Sequence, residues 1–220
     1  MKRYAPLLLI SLLAACSGGG DSLTAGKNDT APNSSALSGT PVAGNQSGLV
    51  SGDPAGNYGE AYVSNGQGYL LVSPTDNDPV AALYKLGPGS SVQRVPPTAS
   101  GAAVSASFTS AATADTATPA PTLTQLAGTY TVTAGQQQIA FAIASNGAIS
   151  GGSGCTISGQ INGQSSYGSA LPANFTLQGC GTGVDGSYAG LALQPSADAA
   201  PALLRLVGAS GTQLIDLIAY

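Results

Sequence analysis

From residue 128 to the end of the chain, apolar side chains return at every second position within short segments, each broken by glycine or an Asn-Gly pair. Val132, Ile139, Phe141, Ile143, Ile149, Ile157, Ile161, Phe175, Leu177, Leu191 and Leu193 carry the pattern. A repeat of two puts alternate side chains on one face of an extended strand, whereas a helix needs a repeat near 3.6. Candidate strands are 128–133, 138–144, 148–151, 155–161, 174–179, 187–193, 202–207 and 213–220. Asn146-Gly147 and Asn162-Gly163 mark turns, and Gly208-Ala209-Ser210-Gly211 closes the last hairpin. The expected fold class is all-β: an antiparallel meander forming a small barrel or sandwich. Strand 213–220 is apolar on both faces except at Asp216, so it is expected to be central or covered.

Composition agrees with strands. Only 7% of the 220 residues are charged, glycine numbers 31, and Ser, Thr, Asn and Gln supply most of the polarity. Solvated helices would call for Lys and Glu instead. The formal charge is −4, and no basic patch exists, which argues against nucleic acid as a partner.

Upstream, the runs 58–63 and 68–72 flank Asn65-Gly66, a hairpin signal, and a third run, 80–86, follows turn residues 75–79. Pro96-Pro97 then opens an Ala-, Ser- and Thr-rich stretch. The expected organisation is a three-stranded β segment over 48–96 packing on the main domain, a low-complexity loop or linker over 97–125, and an eight-stranded β domain over 126–220. Forty residues with three strands are too few to stand alone, hence the expected packing. Residues 17–47 contain almost no bulky apolar side chains and read as a flexible tether.

The amino terminus carries Lys2 and Arg3, then an apolar run from Ala5 to Ala15 interrupted by Ser11, then Cys16. Eleven residues span roughly 16 Å as helix, about half a bilayer core, so a removed secretory signal is the better reading than a membrane span. Leu13-Ala14-Ala15-Cys16 resembles the lipobox of bacterial lipoproteins. The resemblance implies cleavage between Ala15 and Cys16, a diacylglyceryl thioether on Cys16, and often a further acyl chain such as palmitate on the new amino group. Two or three chains hold stably, through about 0.8 kcal/mol per buried methylene. In the family's sorting rule Ser17 after the cysteine implies the outer membrane, facing the periplasm or the surface. The mature chain would keep four basic and ten acidic residues, a net −6.

Export also bears on the remaining sulfurs. Cys155 begins one expected strand and Cys180 ends the next, so antiparallel neighbours would bring them together as a disulfide. Such a bridge would stabilise the fold by about 3–4 kcal/mol on the chain-entropy model. Two free thiols, or a two-cysteine metal site, are the alternatives, although the chain has no histidine to complete such a site. The segment 146–159, Gly179-Cys180, and Gly186-Ser-Tyr-Ala-Gly190 resemble a pattern in uncharacterised proteobacterial lipoproteins with a C-terminal β domain. That resemblance implies a fold and no activity. Gly-Xaa-Tyr recurs at Gly56, Gly128 and Gly186, read as glycine at a bend with tyrosine packing over it.

Catalytic chemistry is hard to assemble from this chain. Without histidine the commonest general base is missing. Glu60 is the sole glutamate, and Asp76, Asp78, Asp185, Asp198 and Asp216 lie mostly beside turn signals. Asp76 and Asp78 are close in sequence, but their setting points to hairpin capping, and a calcium site there would need more oxygen ligands. Arg205 and Asp216 fall across the last hairpin as a cross-strand pair, worth about 1 kcal/mol at most if exposed. No catalytic residue, cofactor site or metal site is therefore assigned. The expected function is a non-catalytic binding or interaction module, anchored to the membrane through acyl chains on Cys16, with an envelope protein or small apolar ligand as partner. A structural envelope lipoprotein making only protein contacts is the alternative, a hydrolase the remote one. A transmembrane barrel fits poorly, because its strands would need about 9–11 residues with a lipid-facing apolar band.

Overall fold

Alternating side chains and tight turns arrange the chain in two β-sheets. The computed structural model describes residues 37–38, 44–76, 78–87, 92–98, 104–108, 119–195 and 201–220. Ala15, Cys16, the rest of the proposed signal and Asp198 lie outside the described residues. In chain order the first sheet comprises β1 (Leu37–Ser38), β2 (Gly44–Ser51), β3 (Tyr58–Ser64), β4 (Gln67–Ser73), β5 (Ala82–Leu86), β6 (Val92–Val95) and β7 (Val104–Phe108). Its spatial order is β1-β7-β2-β3-β4-β5-β6, antiparallel except for the two-residue parallel pair β1 and β7. Asn65 and Gly66, both at positive φ (51° and 72°), make the β3–β4 turn, as the Asn-Gly signal requires.

The short helix α1 (Leu123–Leu126) precedes the second sheet. That sheet comprises β8 (Gly128–Ala134), β9 (Gln137–Ile143), β10 (Ala148–Ser153), β11 (Cys155–Ile161), β12 (Leu171–Gln178), β13 (Gly186–Leu193), β14 (Leu204–Ser210) and β15 (Gln213–Ala219). Every strand pairs antiparallel with its sequence neighbour. The meander curls until its ends meet: the Thr131 amide donates to the Tyr220 carbonyl at 2.9 Å, and the Tyr220 amide returns a bond to Thr131 at 3.0 Å. The result is a nearly closed barrel, which decides between the barrel and sandwich the sequence left open.

The barrel interior is a filled core. Ile139, Ile157, Ile161, Phe175, Leu177 and Leu204 are among its fully buried members. Residues between them point outward and, apart from Pro172, are Thr, Ser, Gln and Asn on β8, β11 and β12. Apolar inside and hydroxylated outside is the polarity of a barrel in water, the reverse of a membrane barrel's apolar outer band.

Two Gly-Xaa-Tyr triplets organise this core. Tyr130 on β8 stacks on Phe141 of β9 (centroids 5.5 Å, 26°), and Tyr188 on β13 stacks on Phe175 of β12 (5.4 Å, 20°). Each hydroxyl donates to a carbonyl four residues upstream, Tyr130 to Leu126 at 2.7 Å and Tyr188 to Val184 at 2.6 Å. Each Phe then lies against a glycine on the following or preceding strand, Phe141 opposite Gly151 and Phe175 opposite Gly159. A Cβ on Gly159 would fall 2.7 Å from the Phe175 Cα. Gly128 and Gly186 do sit under their tyrosine rings. Gly56 differs: its constraint is the Ser73 carbonyl, 1.9 Å from where a Cβ would stand.

The first sheet lies on the outer face of β13, β14 and β15. Tyr62, Tyr69, Leu71 and Leu83 pack there against Leu191, Leu193 and Val207, with Leu214 alongside. Strand β15 thus buries Leu217 and Ala219 inside the barrel while Leu214 faces the first sheet, so its two-sided apolar character has the expected cause. The opposite face of the first sheet gathers Val50, Val63, Leu70, Val72, Tyr84 and Val104.

Several boundaries differ from the sequence reading. Strand β2 starts at Gly44, inside the stretch read as tether, and β7 falls within the Ala/Ser/Thr-rich stretch. Both add to a sheet built around the three anticipated runs: β2 (GNQSGLVS) is polar over its first half, and β7 (VSASF) is a five-residue alternation embedded in low-complexity sequence. Strand β12 begins three residues early, at Leu171, because Pro172 hid a strand start, and β14 runs to Ser210, leaving a tighter last turn. Helix α1 was not anticipated. Its signal is a capping box, with the Thr122 hydroxyl and Gln125 backbone, and the Gln125 side chain and Thr122 backbone, bonded reciprocally.

Candidate functional site

Charge among the described residues is concentrated in two clusters, and the turn Asp53-Pro54-Ala55-Gly56 builds the first. Asp53 Oδ1 accepts the Ala55 amide at 2.7 Å, fixing the turn. Arg94 on β6 reaches the same carboxylate in a two-pronged contact, Nη2 to Oδ1 at 2.6 Å and Nε to Oδ2 at 2.9 Å. The Tyr84 hydroxyl also donates to Oδ2, and Arg94 Nη1 donates to the Pro96 carbonyl. Side-chain exposure is 5% for Arg94 and 0% for Asp53, so this is a buried, mutually satisfied ion pair. Burial pushes the Asp53 carboxyl upward, but bonds from Arg94, Tyr84 and Ala55 outweigh it and hold its pKa below the ordinary 3.8. Burial and the adjacent Asp53 push the Tyr84 hydroxyl well up. The sequence reading missed Asp53 and Arg94; the Asp-Pro-Ala-Gly turn was the available signal.

The second cluster sits where the first sheet meets the barrel. Arg205 on β14 and Asp216 on β15 form a two-pronged pair, at 2.9 and 2.6 Å, on the barrel's outer face. The pairing is diagonal, since Arg205 lies opposite Ile218 and Asp216 opposite Val207. The pair is covered, not exposed: side chains retain 13% and 5% of their surface. Asp216 Oδ2 also accepts the Val80 amide at 2.8 Å, linking the barrel to the approach of β5. Glu60 on β3 completes the group, 3.9 Å from Arg205 Nη1. One cation therefore faces two carboxylates. Burial pushes Glu60 above its ordinary 4.5; Arg205 opposes the rise, and Asp216 and Asp76 add to it.

Cys155 and Cys180 are joined as a disulfide, with Cα atoms 4.3 Å apart. It ties the start of β11 to the end of β12, as the antiparallel pairing of these strands requires. Asp185 braces the adjoining loop by accepting the amides of Gly179 (3.1 Å), Cys180 (2.6 Å) and Gly181 (3.2 Å). Asp78 accepts from the Thr75 hydroxyl at 2.9 Å, the capping role the sequence suggested for this turn. No three metal-ligating side chains are grouped among the described residues.

The remaining surface is of another kind. A single in-register row crosses six strands: Thr129, Ala142, Ser150, Ser158, Thr176 and Ser187. Beside it, Tyr220 faces Thr131 across the barrel closure and remains 55% exposed, with Leu203 exposed nearby at 60%. Comparison with protein-family models, curated proteins and solved structures gives no match, so the reading of this surface rests on its own chemistry.

Proposed function

We propose that the chain is an envelope lipoprotein, anchored through acyl chains on Cys16 and presenting a non-catalytic interaction module. Support for the anchor is the Leu13-Ala14-Ala15-Cys16 sequence behind a charged and apolar leader. Support for the module is the way its charged side chains are used. Asp53, Asp185 and Asp216 each accept several hydrogen bonds from the fold itself, which leaves their lone pairs committed to architecture. A filled barrel with an exposed outer wall favours a partner meeting the outside over a small apolar ligand held within. Nucleic acid stays outside this reading because the mature chain would be acidic.

Mass spectrometry of the protein isolated from its own envelope is the test. An acylated Cys16 as the first residue is expected, with loss of membrane retention in Cys16→Ser. An unmodified amino terminus, or retention that survives Cys16→Ser, overturns the anchor. Site-specific photo-crosslinking from the barrel wall in intact envelope tests the module; a stoichiometric partner is expected.

A further inference from the structure

Glu60 is the sole glutamate of the chain, and β3 turns it toward the barrel between Tyr58 and Tyr62. Its cross-strand neighbours, Ser47 on β2 and Leu71 on β4, carry no charge. From the barrel it meets Arg205 of β14 and Asp216 of β15, and Asp76 adds its charge from the loop after β4. Burial lifts the Tyr62 hydroxyl well up, so that group stays neutral, and Lys85 on β5 lies in the next row, opposite Tyr69. Arg205 does not serve both carboxylates equally. Its Nε and Nη2 are committed to Asp216 at 2.9 and 2.6 Å, while Nη1 stands 3.9 Å from Glu60, beyond hydrogen-bond reach. Ionised, Glu60 is a largely covered carboxylate with a distant partner and two negative neighbours. Protonated, it leaves Arg205 and Asp216 matched one to one.

We propose that the joint between the first sheet and the barrel is a proton-operated latch. Glu60 in its acid form holds β3 against β14 and β15, and loss of its proton parts them there, baring the apolar face that Tyr62, Leu71 and Leu83 share with Val207. The joint yields before either sheet because of how each is held. Within the sheets, strands are bound by continuous backbone ladders. Across the joint, no backbone–backbone hydrogen bond is made among the described residues. Side chains carry the crossing bonds, Asp216 accepting the Val80 amide at 2.8 Å and Asn45 accepting the Ser169 amide at 2.7 Å. Fuller hydration of the ionised carboxylate, the favourable exchange for a charge so poorly paired, requires β3 to lift from β14. By linkage, docking weakens by the factor by which the docked acid is weaker than a free one. Burial, with Asp216 and Asp76 outweighing Arg205, makes it the weaker acid. The latch goes beyond the anchored-module reading and holds whether or not Cys16 is acylated.

Because Glu60 is the sole glutamate, isotope labelling of the glutamate carboxyl carbon in the purified full chain gives one resonance to titrate by NMR. Deuterium exchange of the Val80 amide, followed over the same titration, reads the joint itself. Its rate is taken as the ratio of wild type to Glu60→Gln, which cancels the pH dependence of the exchange chemistry. Glu60→Gln is a neutral stand-in for the protonated acid, so the ratio should stay near unity at the acid end. It should rise about fivefold or more as Glu60 ionises. The slope of Val80 exchange against low urea should be shallower than that of the Leu177 amide in the barrel ladder, the mark of a local opening. Titration of Glu60 at or below the ordinary 4.5 overturns the latch, as does a ratio that stays flat through its ionisation. A urea slope for Val80 equal to that of Leu177 overturns it too, because the joint would then open only when the whole fold does.

Discussion

Two tyrosines and one aspartate show how much of this fold rests on single polar atoms. Tyr130 and Tyr188 bury their rings against Phe141 and Phe175, while each hydroxyl closes a backbone loop ahead of its strand. Tyr188→Phe leaves the stack in place and strips the Val184 carbonyl of a donor, so a loss of about 1 kcal/mol is expected in urea unfolding, with the m-value unchanged. Asp53 is a harsher case. Removing it strands Arg94 without its partner in a buried site, and Asp53→Ala should cost about 3–5 kcal/mol by the same measurement. The pH dependence has a definite sign. The folded pKa of Asp53 lies below the ordinary 3.8, so its contribution is complete above that value and is lost as pH falls through the lower folded one. Acid titration of the wild type against Asp53→Asn should show that extra acid sensitivity in the wild type alone.

At the scale of elements, the sheet ladder leaves room for glycine where strands approach most closely. Gly190 on β13 lies opposite Gly208 on β14, and a Cβ on Gly190 would come 1.9 Å from the Val207 carbonyl oxygen. Because the obstacle is backbone, Gly190→Ala should destabilise by about 1–3 kcal/mol, visible as a lowered thermal midpoint. The disulfide acts between β11 and β12, and its removal by Cys155→Ser with Cys180→Ser should cost about 3–4 kcal/mol on the chain-entropy model. These elements were legible in the sequence to different degrees. Alternation exposed the barrel strands because each has one buried face, and Cys155 and Cys180 marked a pairing through their places at strand ends. Strand β6 was hidden because Val-Gln-Arg-Val buries its arginine, a residue that pattern reading assigns to solvent. Helix α1 was too short for any periodicity, and only its capping box could announce it. The Arg205–Asp216 pair was legible as a hairpin contact, but its burial depends on the first sheet, whose position no local pattern encodes.

At the scale of the whole molecule, charge among the described residues is shared unevenly between the first sheet, its junction with the barrel and the barrel itself. Lys85, Asp53, Arg94, Asp76 and Asp78 belong to the first sheet and its loops, and Glu60, Arg205 and Asp216 gather where that sheet meets the barrel. The junction is one positive charge short. Glu60 has its folded pKa above the ordinary 4.5, so its favourable contribution exists below that value and is lost as pH rises through the higher folded one. Unfolding measured from pH 4.5 upward should therefore show the wild type losing stability relative to Glu60→Gln, opposite in sign to the Asp53 effect. Among the described residues the barrel away from the junction carries Asp185 as its one charge, and the sequence showed the low charge without showing where the few charges would gather.

The barrel closes through the one bonded pair of Thr131 and Tyr220, against five to seven paired residues at most of its other strand boundaries. A cylinder stitched at one point unrolls from that point first. Exchange of the Thr131 and Tyr220 amides with deuterium should outpace that of Ile157 or Leu177 in the central ladder, making the seam the hinge along which this molecule breathes.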